Sequence, residues 1–548
     1  MKNTYLDIME LSLSAYSSED IAAYIREVET EGLKEHGFPR LGANIGILMA
    51  YGRRLDLKEA FVKIVDLCCY WIPRSREEDA HFGNNFSVRE LCCCFMLLEK
   101  TDIVSTEKLE SWKAQLRSID PWERYDDVTT EPTNRRSNWL LFGIVSEFVR
   151  AKYLGVDNEE FLDIQIACQL QDLNALGLYE EHNSPMCYEA IGRCLFAMLL
   201  AFGYQGRHKK AIEEALDRST LLGMQMQSVT GELPFGGRSN QFLLNDAVLA
   251  SHFEMEAVRF AKKGDLQTAG QLKAAAALAA ENMRSYLNQK PICHIKNRFP
   301  RETTFGCEGY AYFNKYMITA ASNIYPAFLF ADDTIEATTA PAVAGGYAVS
   351  AGEFYHKLFL NAGGYSLEFE TNADNHYDAN GLGRVHKKGA PGPLCLSVPF
   401  PGGETCPYRR KEEPNFARVS LCSFAGDSLG AEKPYTVLSF GATQEEARAS
   451  ILAHNGITEH YTVSAGGVKC ALTGEGEKGF MLPAFDFDGE SHTVITEEAH
   501  SLTVTYGESR CIYRFSGRLA EGYRTCGNRN GIYRIYTLYS DDLEIEIL

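Results

Sequence analysis

The hydrophobic pattern of this chain changes its period once, near residue 335, and this change constrains the fold more than any other feature. Before that point, apolar residues recur at helical spacing in segments of helical length. After it, short runs such as "YSLEFET", "YTVLSFGA" and "SLTVTYGE" alternate apolar and polar residues and are separated by Gly, Asn and Asp. Such alternation is typical of antiparallel strands joined by turns. The sequence therefore predicts a helical part followed by a β-part.

The first part is expected to contain twelve helices, and no strand pattern lies between them. The predicted helices cover 18–34, 42–54, 57–70, 87–100, 105–117, 137–154, 158–171, 186–204, 208–227, 241–263, 266–288 and 309–329. Six helical hairpins arranged in a ring would bury every inner face. The predicted fold is an (α/α)6 toroid over 1–335 and an antiparallel β-sandwich over 336–548. A toroid of this kind has a cavity at one end, lined by its loops.

Size, charge and hydropathy exclude several classes of protein. A chain of 548 residues is too long for one ordinary core, so at least two domains are expected. A formal charge of -19 argues against nucleic acid as a partner, since phosphate binding needs an excess of Lys and Arg. No uninterrupted apolar run of about 18 residues suits a membrane span, and the start lacks the pattern of a secretory signal. We expect a cytoplasmic enzyme with no membrane partner; a homo-oligomer stays open.

The sixteen cysteines are predicted to be reduced and buried. Several stand in apolar helical runs, and Cys92, Cys93 and Cys94 are consecutive. Consecutive helical residues diverge by about 100°, so these three cannot bind one metal ion. No CxxC pair occurs, and His376 and His386 do not have a strong zinc spacing. We therefore expect no metal and no other cofactor, with a metal near these two histidines as the weaker alternative.

Two polar clusters interrupt the helical pattern before residue 200. In "TNRRSNWLLFGIVSEF", Asn138 opens a helix, which capping alone would explain. The alternative is that Asn138 and Trp139, beside two arginines, form a polar and aromatic edge for a sugar ring or a carboxylate. In "LGLYEEHNSPMCYEAIGR", His182 lies in a turn between two helices. This turn is either a surface turn or a substrate contact held by a rigid helical pair.

The third cluster, "TGELPFGGRSNQF", is the densest. Gly236 and Gly237 allow the backbone to turn sharply and to approach a ligand. Glu232 precedes the two glycines and supplies a carboxyl. Arg238, Asn240 and Gln241 follow them and supply a planar cation and two amides. The cation and amides match a carboxylate and ring hydroxyls, and partial burial of the carboxyl would raise its pKa and suit acid catalysis. The alternative is a polar loop in which Asn240 caps the next helix.

Two further segments offer groups that transfer protons or bind anions. In the β-part, "ETNADNHYDANGLGRVHKKGAPGP" is too polar for a strand and carries His376, Tyr377, Asp378, Arg384 and His386. Several such side chains in one loop favour a contribution to a site over a purely structural role. Before the last long helix, "FGCEGYAYFNKYM" carries Glu308 and Tyr310.

A helical toroid followed by a β-sandwich, with polar loops from both, resembles the uronate-active carbohydrate enzymes. These include the heparinase II/III-like and alginate-lyase-like polysaccharide lyases and toroidal glycoside hydrolases. The segments "GELPFGGRSNQF" and "HYDANGLGR" are most similar to glycoside hydrolase family 154, a family of β-glucuronidases. The resemblance implies an exo-acting hydrolase that removes terminal β-glucuronic acid from oligosaccharides. The alternatives are a uronate lyase acting by β-elimination and a carbohydrate-binding protein without catalysis.

The resemblance also implies residue roles. In such a lyase a tyrosine and a histidine transfer protons, while Asn or Arg neutralises the uronate carboxylate. A hydrolase needs two carboxyl groups, about 5 Å apart for retention or about 6.5–9.5 Å for inversion. The expected catalytic residues are Glu232, Glu308, Tyr310 and His376. The expected substrate-binding residues are Asn138, Trp139, His182, Arg238, Asn240, Gln241 and Arg384.

Overall fold

The computed structural model describes residues 1–74, 83–374, 376–396 and 420–548. Within these ranges the helices are α1 (Lys2–Leu13), α2 (Ser18–Glu31), α3 (Gly37–Ala50), α4 (Lys58–Trp71), α5 (Asn84–Leu98), α6 (Thr106–Arg117), α7 (Pro121–Arg124), α8 (Trp139–Leu154), α9 (Glu159–Gln169), α10 (Met186–Ala201), α11 (Lys209–Met226), α12 (Leu243–Lys262), α13 (Leu266–Leu287), α14 (Phe313–Phe330), α15 (Pro341–Ala344) and α16 (Gly352–Tyr355).

The long helices form a closed double ring. Helices α3, α5, α8, α10, α12 and α14 pack each on the next, and α14 packs back on α3. Helices α4, α6, α9, α11 and α13 lie outside them, and α1 packs on α14. The inner helices are apolar around most of their circumference and almost entirely buried, whereas α11 buries one stripe of residues at helical spacing. The predicted toroid is confirmed.

All twelve predicted helices are present, with boundaries within about five residues of those predicted. Helix α1 was not predicted. It buries Tyr5, Ile8, Met9 and Leu13 on one side, a helical spacing that the sequence already contains. Its start at Lys2 has no side-chain cap, so no capping signal marks it.

The β-part is antiparallel throughout the described ranges. Its strands are β1 (Tyr347–Ser350), β2 (Lys357–Ala362), β3 (Tyr365–Glu370), β4 (Gly381–Lys387), β5 (Cys422–Ala425), β6 (Ser428–Leu429), β7 (Thr436–Ala442), β8 (Glu446–Leu452), β9 (Thr458–Ser464), β10 (Gly467–Thr473), β11 (Lys478–Phe487), β12 (Val494–Glu498), β13 (Ser501–Tyr506), β14 (Ser509–Arg514), β15 (Arg518–Leu519), β16 (Arg524–Gly527), β17 (Ile532–Tyr539) and β18 (Asp542–Ile547). The last long helix ends at Phe330, which is consistent with a boundary near residue 335.

The described strands form three sheets. One is β1-β2-β3-β4, the second is β12-β13-β14-β18-β10-β9-β8-β7, and the third is β15-β17-β11-β5-β6 with β16 beside β17. The apolar side chains of all three share one core, to which β2 and β3 contribute Leu358, Leu360, Leu367 and Phe369. The predicted β-sandwich following the toroid is confirmed as antiparallel β-structure.

The opposite face of the four-stranded sheet is polar although it is buried. Strands have a side-chain period of two, so the residues between the apolar ones point the other way. These are Lys357, Asn361, Ser366, Glu368, Arg384 and His386, each less than a tenth exposed. They face the loop that precedes α12. The contact between the two parts of the chain is therefore built from polar and charged groups.

The described cysteines are all free and buried, while Cys406 lies outside the described ranges. Burial raises the pKa of the Cys93 thiol to about 12. The described cysteines act as small apolar side chains in the core. No helix in the described ranges has both the length and the apolar character needed to cross a membrane.

Arg384 belongs to the contact between the sheet and the loop, so its expected role as a substrate ligand is wrong for this conformation. It is 1% exposed. Its Nη1 donates to Leu233 O at 2.8 Å and to Glu368 Oε2 at 3.0 Å, and its Nη2 lies 3.5 Å from Glu232 Oε2. Because both carboxylates are buried, the guanidinium is their counter-charge rather than a free anion binder.

We predict that Arg384→Ala lowers the free energy of unfolding by about 3–5 kcal/mol, because it removes a counter-charge that Glu232 and Glu368 share and leaves them only Lys296 and Lys357, at 3.7 Å and 3.5 Å. Arg448→Ala is the control, since Arg448 pairs with Glu446 on the surface and is 71% exposed; it should cost about 0–1 kcal/mol. Urea denaturation of both variants measures the difference. Equal, small losses for both would contradict the structural role of Arg384.

Candidate functional site

The loop Thr230–Gln241, here called the central loop, crosses the polar face of the four-stranded sheet. Several backbone groups of the loop meet side chains of the β-part. Phe235 N–H donates to Glu368 Oε2 at 3.2 Å, and Gly237 N–H donates to Asp378 Oδ2 at 2.7 Å. Lys357 Nζ lies 3.3 Å from the centre of the Phe235 ring. The density of polar residues in this segment thus serves the junction between toroid and sheet.

A buried arginine from the β16–β17 turn holds the far end of the central loop. Arg529 Nη2 donates to Gly237 O at 3.0 Å, and Nη1 donates to Asn240 O at 3.2 Å. The same guanidinium pairs with Glu308, Nη2 lying 3.0 Å from Oε1. Glu308 Oε1 in turn accepts from Ser239 N–H at 2.6 Å. The carboxylate of Glu308, 5% exposed, is therefore fully engaged by the protein.

Three further expectations about the central loop are corrected by burial. Glu232 is 1% exposed, and burial alone would raise its pKa. The charges of Lys296 and Arg384 and the hydrogen bond from Gln241 outweigh burial and lower this pKa to about 2. Glu232 is thus a buried anion and not a general acid. Gln241 bonds Glu232 and Asn530, and Asn240 Nδ2 donates to Pro234 O at 3.0 Å. Neither amide is available for ring hydroxyls.

At the toroid end of the central loop, three tyrosine hydroxyls converge on the hydroxyl of Ser239. Their distances to Ser239 Oγ are 2.9 Å for Tyr188, 3.0 Å for Tyr310 and 3.3 Å for Tyr316. Arg238 lies over the Tyr188 ring, 4.7 Å from its centre. We call Tyr188, Arg238, Ser239, Tyr310 and Tyr316 the tyrosine site.

Ser239 is held in an unfavourable backbone conformation. Its φ is 59°, in the left-handed region that favours glycine, and this costs about 1 kcal/mol or more for other residues. The hydrogen bonds of its N–H to Glu308 and of its C=O to Asn245 Nδ2, at 3.1 Å, fix this conformation. The turn points the Ser239 hydroxyl at the tyrosines, so the strained conformation places this hydroxyl within hydrogen-bond distance of them.

A chain of hydrogen bonds joins the tyrosine site to three other loops. Arg238 Nη2 donates to Glu181 Oε1 at 2.9 Å, and Nη1 donates to His182 O at 2.7 Å. Glu181 Oε2 accepts from Asn138 N–H at 2.9 Å. Asn183 Nδ2 donates to Asp374 Oδ2 at 2.7 Å, and Asp374 stands two residues before His376 in the chain. The structure therefore brings together the loops of Asn138, His182, Arg238 and His376.

The side chain of Asn138 does not cap α8, so capping does not explain its position. Asn138 is 2% exposed, and its Oδ1 has no hydrogen-bond partner among the described residues. A buried amide oxygen without a donor costs about 1–3 kcal/mol, which a ligand hydroxyl or water would recover. The neighbouring Trp139 is partly buried and packs edge-on against Phe86 at 5.1 Å.

The groups that reach the surface here are phenols and imidazoles. Tyr310 is 39% exposed, and His182 and His376 are exposed. Burial and the nearby Tyr188 and Glu308 raise the pKa of Tyr310, so its phenol stays protonated at neutral pH. The carboxyls of Glu181 and Glu308 are about 5% exposed and bound to arginines. Of the expected catalytic groups, Tyr310 and His376 therefore reach the surface, whereas Glu308 does not.

Asp378 is the buried carboxyl with an unusual pKa beside this site. It is 4% exposed and accepts the hydrogen bond of Gly237 N–H. Burial raises its pKa from 3.8 to about 6. The positive charge of Lys357 opposes this rise, and the negative charge of Glu370 adds to it. A carboxyl of this kind is partly protonated near neutral pH.

Sequence reasoning missed Ser239, Tyr316 and Arg529 as members or supports of the site. Tyr316 stands within an apolar helical pattern and is typical of a core residue. Arg529 lies in the turn "GNRNG" of the last hairpin, far from every cluster singled out in the sequence. The Gly- and Asn-rich composition of that turn was its one available signal.

The chain matches no known family description and no curated protein. Among solved structures it is similar to a heparinase III gene product, with a TM-score of 0.46 and 8% identity over 93% of this chain and 78% of that one. It is also similar to the heparan sulfate lyase HepC from Pedobacter heparinus, with a TM-score of 0.43 and 11% identity over 93% and 75%. A β-arabinofuranosidase of glycoside hydrolase family 127 gives a TM-score of 0.32 and 9% identity over 99% and 87%. Identities this low do not transfer an activity, so the function rests on this chain's own residues.

The raised pKa of Asp378 predicts a pH-dependent stability that Asp378→Asn removes. For an acid whose folded pKa is raised, stability is fully present below the unfolded value of 3.8 and is lost as pH rises through about 6. The unfolding free energy of the variant minus that of wild type should therefore be about 1–3 kcal/mol larger above pH 7 than near pH 4. Urea denaturation over this pH range measures it. Parallel curves for both proteins would contradict the raised pKa.

Proposed function

We propose that the protein is a saccharide-active enzyme that cleaves a uronate linkage by β-elimination at the tyrosine site. The observation that carries the proposal is the nature of the accessible groups. A protonated phenol and two loop imidazoles reach the surface, whereas Glu181 and Glu308, whose carboxyls contact the tyrosine site, are buried and bound to arginines. Elimination needs one base and one acid, while hydrolysis of a glycoside ordinarily needs two accessible carboxyl groups.

The tyrosine site supplies the acid. In the elimination, the C5–H and C4–O bonds of the uronate break, the C4–C5 double bond forms, and the leaving oxygen takes a proton. Tyr310 is the exposed, protonated phenol of the cluster, so we assign it this proton transfer. Ser239, 3.0 Å away, connects its hydroxyl with those of Tyr188 and Tyr316, from which the proton is replaced.

The base is assigned to His376. An imidazole accepts protons at neutral pH, and the His376 ring is exposed on the loop that meets Asn183. His182, also exposed, stands on the other side of this loop contact and is assigned to substrate binding. The aromatic faces of Trp139 and Tyr377 are partly exposed in the same region and suit the apolar face of a sugar ring.

The carboxylate of the uronate is assigned to Arg238. Two N–H groups of Arg238 are used by Glu181 and His182, but the guanidinium has five and is 20% exposed. It therefore offers its remaining N–H groups to the carboxylate. Asn138 lies on the other side of Glu181, and its unpartnered Oδ1 is an acceptor that suits a ring hydroxyl. A neutralised carboxylate makes the C5 proton more acidic.

Hydrolysis of a terminal β-glucuronide is the second candidate, and Asp378 is the observation that favours it. A carboxyl with a pKa of about 6 has the protonation that a general acid needs. Glu308 is the second carboxyl in this candidate mechanism. Both would have to leave their present partners, Gly237 N–H and Arg529, to reach a substrate.

Two assays on the purified protein distinguish these candidates. Uronate oligosaccharides report elimination through the ultraviolet absorbance of the new double bond. Nitrophenyl β-glucuronide reports hydrolysis through free nitrophenol. Absorbance without nitrophenol supports the proposal, the reverse selects the hydrolase, and silence in both assays favours a carbohydrate-binding protein without catalysis.

We predict that Tyr310→Phe lowers kcat for elimination by about 10²–10⁴-fold, because the acid is lost while the ring remains. Tyr312→Phe is the matched control. Tyr312 is 40% exposed and two residues away, and the structure shows no hydrogen bond from it to Ser239 within the described ranges. It should retain activity within about twofold. Equal kcat values for the two variants would remove Tyr310 from the mechanism.

We predict that Arg238→Ala selectively impairs charged substrates. Loss of a charge-assisted contact should cost about 2–4 kcal/mol in kcat/KM for the uronate. The methyl ester of the same oligosaccharide lacks the charge, so its kcat/KM should change much less. Arg238→Lys should restore little, since an ammonium cannot reproduce the planar guanidinium. The same loss on acid and ester would instead indicate that Arg238 only positions Glu181 and His182.

A further inference from the structure

A cleft separate from the tyrosine site lies between the outer helix α13 and the β-part. Its volume is about 590 Å³, within the range of roughly 300–1,000 Å³ usual for small-molecule sites. One side is the face of α13 that carries Asn282, Ser285 and Tyr286, together with Gln289 just after the helix. The other side is formed by segments of the β-part, including Tyr506 and Asn530. Junctions between domains are common positions for ligand sites.

The central loop contributes to this cleft as well as to the tyrosine site. Thr230 lines the cleft, and Ser239 lies at the tyrosine site. Asn530 Nδ2 donates to Gln241 Oε1 at 3.2 Å, at the end of the loop. The cleft shares no lining residue with the tyrosine site, so it is a separate candidate site.

The charges that line the cleft are balanced by the protein. Lys296 Nζ donates to Asp246 Oδ1 at 2.8 Å, and Arg298 pairs with Glu490. Asp488 accepts from Tyr506 OH at 2.6 Å and from two backbone N–H groups. Glu281 and Lys388, one of each sign, remain at the exposed rim. A balanced lining does not select a phosphate or another multiply charged ligand.

One buried polar group of the cleft lacks a hydrogen-bond partner among the described residues. Asn530 is 1% exposed, and its Oδ1 accepts no hydrogen bond. Its Nδ2, in contrast, is bound to Gln241 and to Lys296 O, so the orientation of the amide is fixed. A buried acceptor without a donor calls for a ligand that brings an O–H group. The aromatic sides of Tyr286 and Tyr506 frame the same space.

We infer that this cleft binds a neutral saccharide unit. Hydroxyl donors satisfy Asn530 Oδ1, the amides and hydroxyl of α13 match further ring hydroxyls, and the tyrosine rings pack on the C–H face of the sugar. A neutral unit fits because the lining carries no unpaired buried charge. The inference does not depend on the reaction at the tyrosine site, and it gives the protein a second place to hold an extended or branched saccharide.

The test uses the full chain and neutral probes: cellotriose, maltotriose and xylotriose, each titrated by calorimetry and by saturation-transfer NMR. Ser285→Trp fills the cleft from the exposed end of α13 without removing any buried group. Arg284→Trp, one residue away, is exposed and does not line the cleft, so it is the matched control. Thermal melting of all three proteins confirms that they are folded.

We expect at least one probe to bind wild type and Arg284→Trp alike, and to bind Ser285→Trp at least about tenfold more weakly. Turnover of a short uronate substrate at the tyrosine site should be the same in both variants, which separates this test from the catalytic proposal. Absence of saturable binding to wild type, or equal binding to both variants, would overturn the inference. Binding of glucuronate oligosaccharides alone at the cleft would also overturn it, because the ligand would then be charged.

Discussion

The buried charges at the junction between the toroid and the β-part hold the central loop, and the candidate site depends on that loop. Arg529 and Asp378 bind the backbone at Gly237, and Arg384 and Glu368 bind it at Leu233 and Phe235. These side chains come from β-strands or turns, whereas the loop belongs to the toroid. The β-part is therefore more than an appended domain, because without it the loop would lose the partners of its buried backbone groups.

The same arrangement explains why the site can hold a strained residue. Ser239 has a left-handed backbone conformation, and Glu308, itself bound by Arg529, fixes its N–H. Strain of this kind persists where surrounding contacts over-determine the conformation. Its result is a serine hydroxyl within hydrogen-bond distance of three tyrosines, two of them on α10 and α14 of the inner ring. Rigid inner helices and a rigid loop thus meet at one hydroxyl, which limits the motion of Tyr310.

The fold could be predicted from the sequence to a large extent, because hydrophobic period reports which side of an element is buried. The site could be predicted less well. Arg238, His182 and His376 were found because polar residues in a loop are conspicuous, and the structure places their loops together. Glu232, Asn240, Gln241 and Arg384 are equally conspicuous, but they are buried at the junction between loop and sheet rather than exposed. One-dimensional sequence does not tell a buried polar junction from a binding surface, since both need the same residue types.

The central claim is that the tyrosine site cleaves a uronate linkage by elimination, and the origin of the product oxygen tests it most directly. The reaction is run on a uronate oligosaccharide in heavy-oxygen water and quenched at once with borohydride, so that the new reducing end cannot exchange. Elimination breaks the C4–O bond without water, and the account predicts products without heavy oxygen and with one unsaturated uronate by mass spectrometry. One heavy oxygen at the new reducing end, with no unsaturated uronate, would show hydrolysis and contradict the account.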